Sequence, residues 1–286
     1  MEYPIVEVKT SDNLILHGML FQPIESDVLY LHIHGTGSSF FCETFQPALI
    51  QYLSENNIPS LFTNNRGSYA MDSWQDTGAA LEIFEDCLKD IDAWIQFAFS
   101  KGYKKIILSG HSHGTEKVVY YMNKGTYKDN ISGVILLGFC DSFGNQLKFE
   151  KENALNLLPE AIGKNQNGKA YELLTGHRKS QAGELPISAM TYLNYFSENS
   201  ELSNVTPFRL GHPMPMIASI KVPMLAIIGD TGEYTIIPIM EAIVLLKQSN
   251  KIAEVHQILT CDHCYKEREK ELLSILDVFL KKQEFK

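Results

Sequence analysis

Residues Ile106–Lys117 read IILSGHSHGTEK, and within them Gly110-His111-Ser112-His113-Gly114 forms a G-x-S-x-G pattern. Three apolar residues and a small one lead into the pattern as a short buried strand, and Thr115 to Met122 continues it with helix-compatible residues. A serine at a strand-to-helix turn, with glycine two positions to either side, reads as a nucleophile elbow. Such a turn holds the serine in a strained backbone conformation, and any side chain at the flanking glycines would collide there. The hydroxyl is then presented at a helix N-terminus, where free N–H groups and the positive end of the dipole favour a developing oxyanion. The pattern alone is common and equally describes a glycine-rich turn; the flanking strand and helix give it meaning.

Upstream, Val6 to Lys9 and Leu14 to Phe21 flank the turn-forming Ser11-Asp12-Asn13, which predicts an antiparallel hairpin. Val28 to His34, VLYLHIH, is apolar enough for a strand covered on both faces, and it ends in His34-Gly35-Thr36-Gly37. A helix over 43–55, a strand over 59–63 and a long helix over 80–100 follow, the last with Phe84, Cys87, Leu88, Ile91, Ile95 and Ala98 on one face. Lys104 to Ser109 feeds the elbow, and Ile131 to Phe139 is the next buried strand. This alternation predicts an α/β fold with a mostly parallel central sheet and right-handed crossovers.

The rhythm breaks over 140–220, a polar, glycine-dotted stretch with helix-like pieces near 146–160, 167–175 and 188–197. Loops in compact domains usually span ~4–6 residues. The stretch is therefore read as an inserted, mainly helical cap or lid, leaving residues 1–139 and 221–286 as the core. Strands over 222–229 and 253–259 and helices over 238–249 and 267–281 complete that core.

Across 286 residues, 44% are hydrophobic and 21% charged, a composition that excludes disorder as the main state. A net charge of −9 without any Lys/Arg-dense run argues against a nucleic-acid or anionic-membrane partner. The first ten residues do not resemble a signal peptide, and no apolar run approaches the ~18 residues of a membrane span. Five scattered cysteines suit free thiols in a reducing, cytoplasmic setting. Cys261-x-x-Cys264 lacks a second pair, so no metal is expected. The sequence is compatible with a homo-oligomer.

HGTG at 34–37, NNRG at 64–67, GHSHG at 110–114, GDTGE at 229–233 and CDH at 261–263 occur in this order over nearly the whole chain. In this the sequence resembles the α/β-hydrolase superfamily, and within it serine esterases of the dienelactone-hydrolase type. The resemblance implies Ser112 as nucleophile and His263, just after the last strand, as its base. It implies an oxyanion hole built from the N–H groups of His113 and of Thr36 in the HGTG loop. Relatives usually carry aspartate three residues after the glycine that ends the late strand, and here that position is Gly232. Glu233, whose longer arm could cover a one-residue shift, is the first choice for the acid; Asp230 is second, and Asp141 occupies the place some lipases use. Asp262 is expected to support its own loop, and Arg66 either to pair with a carboxylate bracing the HGTG loop or to meet an anionic substrate.

The resemblance implies a serine hydrolase that cleaves a carboxylic ester or thioester of a small or medium, partly hydrophobic substrate, with no cofactor. Acyl transfer or amide hydrolysis would use the same acyl-enzyme. Gly232 also keeps open a non-catalytic binding protein, since fold does not fix function. His177, His212, Met190, Phe196, Phe208, Met214 and Met216 of the inserted stretch are candidates for substrate contacts or, for the apolar ones, for the stretch's own core.

Overall fold

In the computed structural model, residues 4–22, 25–180 and 183–282 are described. The hairpin forms as β1 (Ile5–Lys9) and β2 (Ile15–Phe21), paired antiparallel through a turn with Asn13 at φ 72°. Next come β3 (Val28–Ile33), α1 (Gln46–Glu55), β4 (Ser60–Thr63), α2 (Cys87–Ser100), β5 (Lys105–His111), α3 (His113–Lys124) and β6 (Ile131–Leu137). The 140–220 stretch holds α4 (Ser142–Glu152), α5 (Leu158–Gln166), a small hairpin of β7 (Arg178–Ser180) and β8 (Gly183–Leu185), α6 (Ala189–Phe196) and α7 (Pro215–Ser219). The chain ends with β9 (Met224–Ile228), α8 (Ile239–Ser249), β10 (Ala253–Gln257) and α9 (Glu269–Lys282).

Eight strands form one sheet in the order β1-β2-β4-β3-β5-β6-β9-β10. β2 runs antiparallel to both neighbours, and every pairing from β4 to β10 is parallel. The strand residues alternate between two cores, as the period of two requires. Leu29, Leu31, Ile106 and Leu108 join α2, α3 and α8 on one face, while Tyr30, Ile107, Ile135 and Ile227 meet α1 and α9 on the other. From β3 the chain steps outward to β4, then crosses back to β5 on the opposite side of β3. This reversal opens a crevice beyond the carboxyl ends of β3 and β5, the place where sheets of this kind bind ligands. None of the helices among the described residues is long and apolar enough to cross a membrane.

Beyond shifts of a few residues, such as α1 starting at Gln46 rather than 43, three elements depart from expectation. Helix α2 begins at Cys87, after a 3-10 turn at Phe84–Asp86, rather than at residue 80. The backbone of 79–84 is committed to other segments: Ala79 and Ala80 donate to the carbonyls of Tyr69 and Ala70, Ala80 accepts from Ser188, and the Phe84 N–H donates to Asn194. The piece at 146–160 is split between α4 and α5, with Ala154 at φ 52° between them and Pro159 in the first turn of α5. Residues 167–175 are turns, because Gly168 at φ 71° closes α5 and the Leu174 N–H pairs with the Ile187 carbonyl.

Candidate active site

Ser112 sits between β5 and α3 with φ 54° and ψ −127°, a conformation that costs of order 1–3 kcal/mol and persists only where its surroundings enforce it. The glycines do the enforcing. A Cβ on Gly110 would collide with the main chain of Gly114, and one on Gly114 with the Ile33 carbonyl on β3. Helix α3 is thereby drawn against the sheet, and the serine is driven out of the turn. A Cβ on Gly35 would lie 2.9 Å from that of Ser112, so the HGTG loop passes directly beside the serine.

That loop is pinned from below. His34 Nδ1 is 2.7 Å from the Gly35 carbonyl, its Nε2 meets Ser68 Oγ at 2.8 Å, and the Gly37 N–H donates to the Gly67 carbonyl. Thr36 borders the crevice. His113 opens α3, so its main-chain N–H has no partner within the helix. Its side chain turns into the interior, with Nδ1 2.7 Å from Glu116 Oε2.

His263 reaches the same crevice from the loop between β10 and α9. Its Nδ1 is 2.6 Å from Glu233 Oε2, and the other Glu233 oxygen accepts the Gly229 N–H at 2.8 Å. The Nε2 atom is buried and has no hydrogen-bond partner among the described residues. The ring packs edge-on against Tyr234, and Gly138, at φ 57°, leaves it room: a Cβ there would stand 2.8 Å from Cε1. Burial, reinforced by His111, lowers the His263 pKa against the opposing pull of Glu233, so the ring is a free base at neutral pH.

The other two carboxylates have different work. Asp230 accepts from the N–H groups of Thr260 and Cys261 and so ties the loop after β9 to the one after β10. Asp141 caps α4 through the Gly144 N–H and binds the Arg209 guanidinium. Asp262 accepts from the N–H groups of Cys264 and Lys266 within its own loop, as expected. Arg66 does pair with carboxylates, but they are Asp90, Asp86 and Asp12, so it joins α2 to the first hairpin instead of bracing the HGTG loop.

Ser112, His263, Glu233 and Thr36 border one cavity of about 760 Å³. The 140–220 stretch contributes Cys140, Ser142, Asn145, Lys148, Phe149 and Leu185 to its wall. Phe196, Phe208 and Met214 are buried in the larger core, and neither they nor Met190, Met216, His177 or His212 border the cavity. Two features escape sequence reasoning. Glu43, in what reads as a polar helix start, is buried between His32 and His111. Lys117, in the helix that follows the serine, is fully buried against Glu82. Both depend on contacts across distant segments, and no local pattern marks them.

The fold is that of the α/β hydrolases. The structure of Est1E from Butyrivibrio proteoclasticus with ferulic acid bound superposes with a TM-score of 0.67 at 18% identity, covering 98% of this chain and 100% of the other. The Pyrococcus furiosus esterase Pf2001 gives 0.60 at 20% identity over 98% and 91%. GrgF, an alpha/beta hydrolase from Penicillium sp. sh18, gives 0.65 at 15% identity over 98% and 99%. No protein-family model matches the sequence, and no curated protein matches it.

Proposed function

We propose that the chain is a serine hydrolase acting on a carboxylic ester or thioester. Ser112 Oγ attacks the acyl carbon as His263 Nε2 takes its proton, and the carbonyl oxygen, now negative, is received by the N–H groups of Thr36 and His113. Glu233 holds the Nδ1–H tautomer and stabilises the imidazolium that forms. His263 then gives its proton to the departing alcohol or thiol. In the second half, His263 takes a proton from water as the water attacks the acyl-enzyme, and Ser112 is released protonated with the carboxylic acid product.

The observation that carries this reading is the state of His263: one nitrogen is fixed by a carboxylate and the other is buried without a partner among the described residues, in the cavity that holds a strained serine. In the same reading residues 140–220 act as a cap, whose Phe149 and Leu185 offer an apolar wall to an acyl or alcohol group of small or medium size. The esterases among the structural neighbours agree with this class at the level of the fold. The test is turnover of an ester and thioester series of increasing acyl length by the wild type and Ser112→Ala. Hydrolysis lost completely in a folded Ser112→Ala supports the reading, and hydrolysis retained in that variant removes the serine from the mechanism.

A further inference from the structure

His111, the residue before Ser112, has a side chain only 6% exposed with both ring nitrogens aimed at oxygen atoms. Nδ1 is 2.9 Å from Glu43 Oε1, and Nε2 is 2.9 Å from the main-chain carbonyl oxygen of His263. A carbonyl only accepts. The Glu43 carboxylate accepts as well, because its oxygens also face the Gly35 N–H at 3.1 Å and His32 Nε2 at 2.7 Å. A neutral imidazole supplies one N–H and would point its other lone pair at an oxygen; the imidazolium supplies both. His32 escapes this requirement, since its Nδ1 lies 3.1 Å from Ser109 Oγ, a hydroxyl that receives the Tyr30 proton and is free to donate its own.

We infer that His111 is held as an imidazolium, a positioning residue that clamps the His263 loop to the HGTG loop through Glu43 and keeps His263 in its free-base form by its charge. The second half of the inference rests on the role proposed for His263, and the first does not. Three loops converge on this one pair: Glu43 holds Gly35 beside the oxyanion site, His111 precedes the nucleophile, and the bond to the His263 carbonyl fixes the base from behind.

The groups facing His111 are Glu43 from the segment before α1, with His32 of β3 on the far side of that carboxylate, His263 and Tyr265 from the loop after β10, and Glu233 from the loop after β9. Burial lowers the His111 pKa, but Glu43 outweighs it and the net direction is upward. Burial likewise opposes ionisation of Glu43, and His111 and His32 together bring it well below the usual carboxylate range. The His111 and His263 ring centroids are 4.9 Å apart, close enough for one positive charge to oppose a second. Glu233 and Glu43 supply the counter-charge that lets His263 be protonated transiently.

The protonation state is read directly by ¹⁵N NMR of the folded wild-type protein carrying ¹⁵N-labelled histidine, with the His111 signals assigned by their loss in His111→Gln. At about pH 7.5, above the ordinary histidine range, both His111 ring nitrogens are expected to be protonated. One bare, pyridine-type nitrogen at that pH would overturn the inference whether or not the protein is an esterase. Glu43→Gln provides the second arm and an alternative assignment should His111→Gln fail to fold. It is expected to convert the His111 signals to one protonated and one bare nitrogen, and unchanged signals would contradict the clamp. In the activity arm, the acidic limb of kcat/KM for His111→Gln is expected to move up by about one pH unit or more. A fall in kcat with the limb unmoved would reduce His111 to a packing residue.

Discussion

Glu233 stands four residues beyond Gly229, yet its carboxylate returns to accept that glycine's N–H while meeting His263 at 2.6 Å. The extra methylene of glutamate covers the displacement that Gly232, at φ 69°, introduces into the turn. Removing the charge there leaves the histidine without its orienting partner. Glu233→Gln is therefore expected to lower kcat by ~10⁴, the scale seen when such an acid is disrupted. Asp230→Asn, at a carboxylate that accepts from the main chain of Thr260 and Cys261 and from the Thr231 hydroxyl, should leave kcat near wild type and lower the melting temperature slightly; steady-state kinetics and thermal melts on both variants decide the assignment. The serine carries its own signature. At φ 54° a side chain is strained, so Ser112→Gly should raise the unfolding free energy by about 1 kcal/mol in urea titrations while abolishing turnover. That Ser112 and His263 come to one crevice was legible in the sequence because each follows the carboxyl end of a parallel strand, β5 and β10. Glu43 was not, because its partners stand 11 and 68 residues away and the sequence around it, SFFCETF, has no period that predicts burial.

Helix α2 is fastened to the first hairpin through Arg66. Its guanidinium, 10% exposed, meets Asp90, which is 1% exposed, along with Asp86 and Asp12. Breaking a buried pair by removing one partner typically costs about 3–5 kcal/mol, since the remaining charge is left in a site without water. Arg66→Ala should show a loss of that order in denaturant unfolding, partly recovered by adding Asp90→Leu, with KM unchanged for any anionic substrate. A KM effect without a stability loss would restore the substrate-binding role. The strands and most helices followed from periodicity, but the start of α2 did not. Helical spacing from Phe84 onward is real, yet at 79–84 hydrogen bonds to the Tyr69 region and to α6 replace the helical ones, and Glu82 turns inward to meet Lys117. Local pattern describes which residues are apolar and not which backbone groups a distant segment will claim.

At the scale of the molecule, the sheet reversal at β3 and β5 gathers the ends of β3, β5, β9 and β10 around one crevice, and the 140–220 stretch closes part of it. Under that crevice lies a buried histidine with a stability cost at low pH. His34, 1% exposed, is pushed down to about 4 by burial and by Lys117, from an ordinary value of 6.5. A depressed histidine pKa means that the unfolded chain takes up the proton first, so stability is complete above pH 6.5 and lost as the pH falls toward 4. The loss should be about 3 kcal/mol, visible as a falling urea midpoint that His34→Asn flattens. The fold was legible as a whole because its apolar runs are bounded by glycine-bearing turns. The course of 140–220 was legible only as an interruption, since its pieces pack on each other and on 79–84. The central claim, an activated serine, is tested most directly by treating the purified protein with a fluorophosphonate and mapping the adduct by intact and peptide mass, beside Ser112→Ala and His263→Ala. The account predicts one adduct, on Ser112, absent from both variants. A folded wild-type protein that takes up no label, or takes it up elsewhere, would contradict it.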